Sequence, residues 1–248
     1  MSVKDTKIIM GMPITVEIVD DLASQNDLEK VFSYFRKVDE QYSPYKESSE
    51  LSKINRGLPE DLWSDEMKIV LALCEQTKQE TNGYFDIRHE GKLDPSGLVK
   101  GWAIQNAAEQ LLKDGFMNFY IEAGGDIQAH GKGKPGIPWS VGIRNPFNTN
   151  EIVKVITIED SGVATSGTYI RGEHIYNPHG SSQKVITVKS LTVIGPNVYE
   201  ADRFATAAFA MGSEGVIFID NLPGFEAYMI DDRQLATFTR GFEKYVAA

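Results

Sequence analysis

The sequence predicts an α+β fold of mixed sheets with flanking helices. Segments of helical period dominate the first half of the chain, while short alternating segments crowd the second. The two kinds do not alternate regularly, as the strand–helix units of a parallel α/β sheet would. No fixed-period repeat, low-complexity stretch or linker interrupts the 248 residues, so one domain is expected over 1–248.

From the N-terminus, Lys7 to Val19 reads as a strand, with Ile14, Val16 and Ile18 alternating against Thr15 and Glu17. Asn26 to Gln41 reads as a helix: Leu28, Val31, Phe32, Phe35 and Val38 share one face, and Asn26 with Glu29 resembles a capping box. Tyr42 to Asn55, rich in Ser, Pro and Lys, reads as a loop. A second helix is expected from Ser64 to Thr81, stopped by Asn82-Gly83. A third runs from near Gly97 to Asp114-Gly115, with Val99, Ala103, Ala107 and Leu111 facing inward. Strands are then expected at Phe119–Ala123, Ile127–His130, Trp139–Ile143 and Val153–Ile158, separated by Gly, Pro and Asn turns. A short helix over Asp202–Met211 and strands near Ala227–Ile230 and Leu235–Phe238 close the chain.

Twenty-five basic against 35 acidic side chains leave a net charge of -10. That balance excludes a general nucleic-acid binder, whose surface is basic, and an anionic substrate must be drawn in by local groups. The one cysteine, Cys74, lies in the apolar run Ile69 to Cys74 and reads as a buried structural thiol. No window approaches the ~18 apolar residues that span a bilayer, and the N-terminus lacks an export signal, so a cytoplasmic protein without a membrane span is expected.

Four stretches are too polar and glycine-rich to be scaffold alone. Asp94-Pro95-Ser96-Gly97-Leu98-Val99-Lys100-Gly101 opens the third helix, where unpaired N–H groups suit an anion and Lys100 adds a cation; a capping Asp with a solvated Lys explains the same residues. Glu122-Ala123-Gly124-Gly125-Asp126 permits close backbone approach to a ligand, or simply turns a hairpin. Ala164-Thr165-Ser166-Gly167 precedes His174-Ile175-Tyr176-Asn177-Pro178, whose His suits a base, although a lone His is more often a structural residue. Asp202 and Thr206 stand four apart, one helical turn, and offer two hard oxygen ligands to Mg²⁺; an Asp at a helix start with a back-bonded Thr is the plainer account. There is no GxxxxGK[ST], GxSxG or HExxH, and Gly131 to Gly136 is glycine-rich without forming a phosphate loop.

Taken together and in order, these stretches resemble the ApbE family from near the N-terminus to beyond residue 210. Met10-Gly11-Met12 is similar to the family's opening motif. Ser43-Pro44-Tyr45 with Ser49-Glu50-Leu51 and Gly83-Tyr84-Phe85-Asp86 follow it. Asp94 to Gly101, Gly124 to Asp126, Ala164 to Gly167, His174 to Pro178 and Ala201 to Thr206 complete the series. The resemblance implies an FAD:protein FMN transferase. Such an enzyme cleaves the FAD pyrophosphate with Mg²⁺, passes FMN to a Thr or Ser hydroxyl of an acceptor flavoprotein as a phosphodiester, and releases AMP. By matching, Gly97 (through its carbonyl), Asp202 and Thr206 would hold Mg²⁺, and Met10, Tyr45, Tyr84, Phe85, Asp86, Asp94, Lys100 and Ile175 would line the FAD site. Tyr45 and Tyr84 offer faces for ring stacking, and His174 would deprotonate the incoming hydroxyl or orient the phosphate.

Two departures bear on the metal. Ala205 stands where some relatives carry a further acid, and Arg203 follows the ligand Asp, where it could weaken Mg²⁺ or pair with phosphate. An FAD pyrophosphatase releasing FMN and AMP, and a non-catalytic flavin-binding protein, remain alternatives. Asp160-Ser161-Gly162-Val163-Ala164-Thr165 resembles an acceptor motif of the Asp-x-x-Ser-Gly-Ala-Thr kind, but Val163 breaks it.

Overall fold

Alternating residues in β-strands put their side chains on opposite faces, and here that pattern gives one antiparallel sheet two different coverings. The computed structural model describes residues 2–89, 91–133, 136–168, 175–179 and 187–247. The chain opens with β1 (Val3–Ile9) and β2 (Met12–Ile18), then α1 (Gln25–Tyr42), α2 (Glu50–Asn55) and α3 (Asp65–Glu80). Two short strands, β3 (Arg88–His89) and β4 (Lys92–Leu93), lead into α4 (Ser96–Lys113). Next come β5 (Phe119–Ala123), β6 (Asp126–His130), β7 (Trp139–Asn145), β8 (Asn148–Ile158) and β9 (Ser161–Gly167). The last part holds β10 (Val188–Gly195), α5 (Val198–Ala210), α6 (Glu214–Asp220), β11 (Glu226–Asp231) and β12 (Ala236–Phe238).

Eight strands form the main sheet in the order β1-β2-β5-β6-β9-β10-β11-β12, and every neighbouring pair is antiparallel. On one face, α1, α3 and α4 bury Leu28, Phe32, Phe35, Met67, Leu98 and Ile104 against Ile14, Val16, Ile18, Phe119 and Ile121 of the strands. Beside them, Phe204, Ala208 and Phe209 of α5 and Ile219 of α6 pack on Ala164, Leu191, Val193 and Met229. The opposite face is covered over β6 to β11 by the β7–β8 hairpin, whose Val141, Ile143, Ile156 and Ile158 meet Ala129, Val163, Ile194 and Ile230. The α+β expectation therefore holds.

The structure departs from the sequence reading in places that have physical causes. The expected strand from Lys7 is two strands, broken by a turn at Met10 and Gly11, both at positive φ (56° and 72°). The expected loop 42–55 ends in a helix, α2, whose N-terminal Ser49 hydroxyl accepts the Ser52 N–H (3.0 Å). The helix α5 starts a turn before Asp202, where the Asn197 side chain accepts the Glu200 N–H (2.9 Å). Both β9 and β10 lie centrally in the sheet and lack clear alternation. β10 is buried on both faces, and β9 is built of Ser, Gly, Val, Ala and Thr. Among the described residues, no helix is long and apolar enough to cross a membrane.

Candidate active site

The site begins with two glycines. On α4, Gly97 and Gly101 stand four apart and face Asp202 and Thr206, four apart on α5. A Cβ on Gly101 would lie 2.6 Å from the Asp202 Cβ and 2.8 Å from the Val198 carbonyl, so only glycine permits this crossing. At Gly97 the nearest atoms would be the Thr206 Cγ2 and Oγ1, at 3.1 and 3.3 Å. This close approach lets the Gly101 N–H donate to Asp202 Oδ2 (2.8 Å) and the Thr206 hydroxyl donate to the Gly97 carbonyl (3.3 Å). Three oxygens of different type, a carboxylate, a hydroxyl and a backbone carbonyl, thus meet at one helix crossing.

Lys100 is held beside them. It forms an ion pair with Asp126, which is 1% exposed, and reaches Asp202 Oδ1 at 3.8 Å. The plainer account of this stretch, a solvated Lys, does not apply, because Lys100 is largely buried between two acids. Asp126 Oδ1 also accepts the Thr165 N–H (3.0 Å), which ties the Gly-Gly turn to β9. That turn is a hairpin, with Gly124 and Gly125 at φ 58° and 98°, so the structural account of the motif applies. Gly124 nevertheless lines the site, and a Cβ there would meet Met12 Sδ at 2.8 Å. Just ahead of α4, Asp94 Oδ1 accepts the Ser96 N–H (3.0 Å) in a local turn, while the capping position itself is Pro95.

These groups form one wall of a cavity of about 410 Å³, within the size range of small-molecule sites. Tyr45, Tyr84, Phe85, Asp86 and Ile175 line the rest of it together with Tyr176 and His89. Tyr45 is 91% exposed and stands at the rim. The Tyr84 ring meets His179 edge-on at 4.7 Å, and the Tyr176 hydroxyl donates to the Arg88 carbonyl (2.8 Å). Burial pushes the Tyr176 hydroxyl above its ordinary pKa, so it remains a donor at neutral pH. Asp86 is engaged by Lys78 (2.7 Å). Asn55 holds the floor by a double hydrogen bond to the Leu93 backbone, at 2.9 and 2.8 Å.

Ten of the expected site residues therefore line one cavity: Tyr45, Tyr84, Phe85, Asp86, Asp94, Gly97, Lys100, Ile175, Asp202 and Thr206. Met10 is not among the lining residues; it sits at the β1–β2 turn, packed against the first core cluster. His174 lies outside the described residues. Arg203 does not face the cavity. It is buried, pairs with Glu80 of α3 and with Glu200 (2.6 Å), and so fastens α5 to α3. Ala205 is fully buried in the second core cluster. Sequence reasoning gave no role to Asp126, Asn55 or Tyr176. The position of Asp126 directly after the glycine pair was the available signal.

The donor set fits a hard divalent cation. Gly97, Asp202 and Thr206 contribute oxygen only, the ligand chemistry of Mg²⁺. Among the described residues, no group of three or more His, Cys, Asp or Glu could hold a metal, so neutral oxygens must complete any site. The acidic lining residues Asp86, Asp94 and Asp202 outnumber Lys92 and Lys100, which leaves the wall without the positive charge that a diphosphate needs.

Residues 10–91 and 87–229 match the ApbE family. A FAD:protein FMN transferase of Vibrio cholerae is 28% identical over 63% of this chain, and the match spans about half of that protein (48%). One of Haemophilus influenzae is 24% identical over 92% of this chain and 87% of its own length. The crystal structure of the ApbE protein of Thermotoga maritima superposes with a TM-score of 0.87 at 20% identity, covering 100% of both chains.

Proposed function

Because the chain belongs to the ApbE family, we propose that it is an FAD:protein FMN transferase acting as one domain. The observation that carries this reading is the meeting of Gly97, Asp202 and Thr206 oxygens with Lys100 on one wall of an aromatic-lined cavity. FAD is the substrate. The oxygen of an acceptor Thr or Ser hydroxyl forms a bond to the phosphorus that carries the riboflavin, the bond to the bridging oxygen breaks, and AMP leaves with that oxygen. The products are a phosphodiester-linked FMN and free AMP.

Gly97, Asp202 and Thr206 would hold Mg²⁺, which when bound neutralises phosphoryl oxygens and the leaving AMP. The remaining work belongs to side chains of this chain. Tyr45 and Tyr84 at the cavity wall stack with flat rings. The Lys100 ammonium, fixed by Asp126, orients the diphosphate without swinging away. The Tyr176 hydroxyl keeps Asp86 and Arg88 in place beside the flavin. His174, the chain neighbour of cavity-lining Ile175, takes the proton of the incoming hydroxyl.

The test is incubation with FAD, Mg²⁺ and an acceptor protein bearing a Thr flavinylation motif. The expected result is stoichiometric AMP and flavin fluorescence that survives denaturing electrophoresis. AMP with free FMN and no labelled band would make the protein a pyrophosphatase. Flavin binding with no AMP would make it a carrier. In the same assay, His174→Ala should slow transfer about 100-fold or more while FAD still binds; unchanged turnover would remove His174 from the reaction.

A further inference from the structure

A second cavity, of about 400 Å³, lies on the opposite face of the sheet, and the proposed activity makes no use of it. Its floor is the strip of sheet at the margin of the β7–β8 hairpin, where the sheet is only partly covered. Lys4, Glu17 and Tyr120 are direct cross-strand neighbours there, and Glu122 with Ile127 forms the next row. Its wall is β7, which contributes Trp139, Ser140, Val141 and Gly142 in succession. Successive side chains of a strand point to opposite faces, so four consecutive residues on one cavity mean that the strand presents its edge. Strand β7 pairs only with β8, and among the described residues its other edge has no strand partner. The two cavities share Gly124 and Thr165. A Cβ on Gly125 would meet nothing within 4 Å, so the turn forms a low saddle between them.

We propose that the acceptor polypeptide docks in this second cavity as an extended segment alongside the free edge of β7, delivering its hydroxyl residue over the Gly124–Gly125 turn into the first cavity. This rests on the transferase reading. A peptide is the occupant because an unpaired strand edge offers alternating N–H and C=O groups, which an added strand satisfies and a flat or compact small molecule does not. The polar floor suits a peptide backbone as well. Glu122 is half-buried, yet its side chain has no hydrogen bond or ion pair among the described residues, so its carboxylate is available to accept N–H or O–H groups. Arg144 at the other end donates to the Thr149 carbonyl (3.1 Å) and carries further N–H groups for an acidic residue of the segment. The lysine of the floor, Lys4, is already paired with Glu17 (3.0 Å), so the cavity is not a general anion site.

The probe is a synthetic peptide containing Asp-Ala-Ala-Ser-Gly-Ala-Thr, assayed with FAD and Mg²⁺ against the wild-type chain and Ser140→Trp. Ser140 is exposed and lines only the second cavity. The expected result is a peptide KM raised about ten-fold or more, with the FAD KM and FAD affinity unchanged within about two-fold. A second measurement needs no variant: a peptide N-methylated at alternate backbone amides should lose about ten-fold in labelling efficiency on the wild-type chain, since strand addition uses those N–H groups. An unchanged peptide KM in Ser140→Trp, or full labelling of the methylated peptide, overturns the docking site while transfer stands. Release of AMP by the wild-type chain with no labelled peptide overturns the transferase reading itself, and the docking site with it.

Discussion

Lys100 shows how little of the charge in the first cavity is free for a ligand. Its ammonium is paired with Asp126 and lies near Asp202, so it can orient a diphosphate without neutralising it, and a further cation is needed. Asp202→Asn keeps an oxygen for the Gly101 N–H but removes the charge that a hard cation requires. The Mg²⁺ concentration for half-maximal activity should then rise at least about ten-fold with little loss of thermal stability; an unchanged Mg²⁺ titration would take Asp202 out of the metal site. Thr206→Ser should retain Mg²⁺ dependence where Thr206→Ala loses it. A pH test falls on Glu122, whose carboxyl is pushed above the usual glutamate range by burial, against the opposing pull of Arg144 and Lys4. A raised pKa favours the protonated folded state, so this contribution is complete at low pH and lost as pH rises through the folded value. Glu122→Gln should therefore melt higher than wild type at pH 8, and the gap should close near pH 4; a wild type that melts higher at pH 8 contradicts the desolvation account. Ten residues of the cavity lining were legible at this scale, through the order of short polar and glycine-rich motifs rather than through any one residue type. The partner of Lys100 was not, because Asp126 reaches it only through the hairpin turn.

Among the elements, α4 and α5 decide the site, since their glycine-lined crossing sets where Asp202 and Thr206 stand. Gly101→Ala gains about 1 kcal/mol of helix propensity but places a Cβ against backbone and Asp202 Cβ, at 2.8 and 2.6 Å. Overpacking of this kind costs about 1–3 kcal/mol, so a net loss in denaturant midpoint is expected together with weaker Mg²⁺ dependence. A fully stable and active Gly101→Ala would show that the crossing tolerates separation. Gly97→Ala should be milder in stability, because the atoms it meets belong to the Thr206 side chain. The long helices were legible through their apolar period and their stops, as Asn82-Gly83 after α3 shows. The strands β9 and β10 were not, because alternation fails where a strand is buried on both faces or built of small residues. The helix α2 hid in a Ser-rich stretch because one buried hydroxyl, Ser49, caps six residues that have no long period.

At the scale of the whole molecule, the α+β class was legible from the distribution of periods, but the order of the strands was not, since pairing is set by contacts remote in sequence. The net charge of -10 acts at this scale too. It repels a dinucleotide at long range, and salt screens that repulsion over a Debye length of about 10 Å at 0.1 M. At saturating Mg²⁺, FAD association should thus speed up as NaCl rises from about 20 to 200 mM; slowing, read by stopped-flow flavin fluorescence, would mean that local cations dominate the approach. The sheet order has one more consequence. An open sheet of eight strands has two rims on which a foreign chain could nucleate a fibril. One rim, β1, carries Asp5 between Lys4 and Lys7, and the other, β12, is only three residues long. Such rims resist stacking of copy upon copy, which guards the chain against self-assembly through the ends of its own sheet.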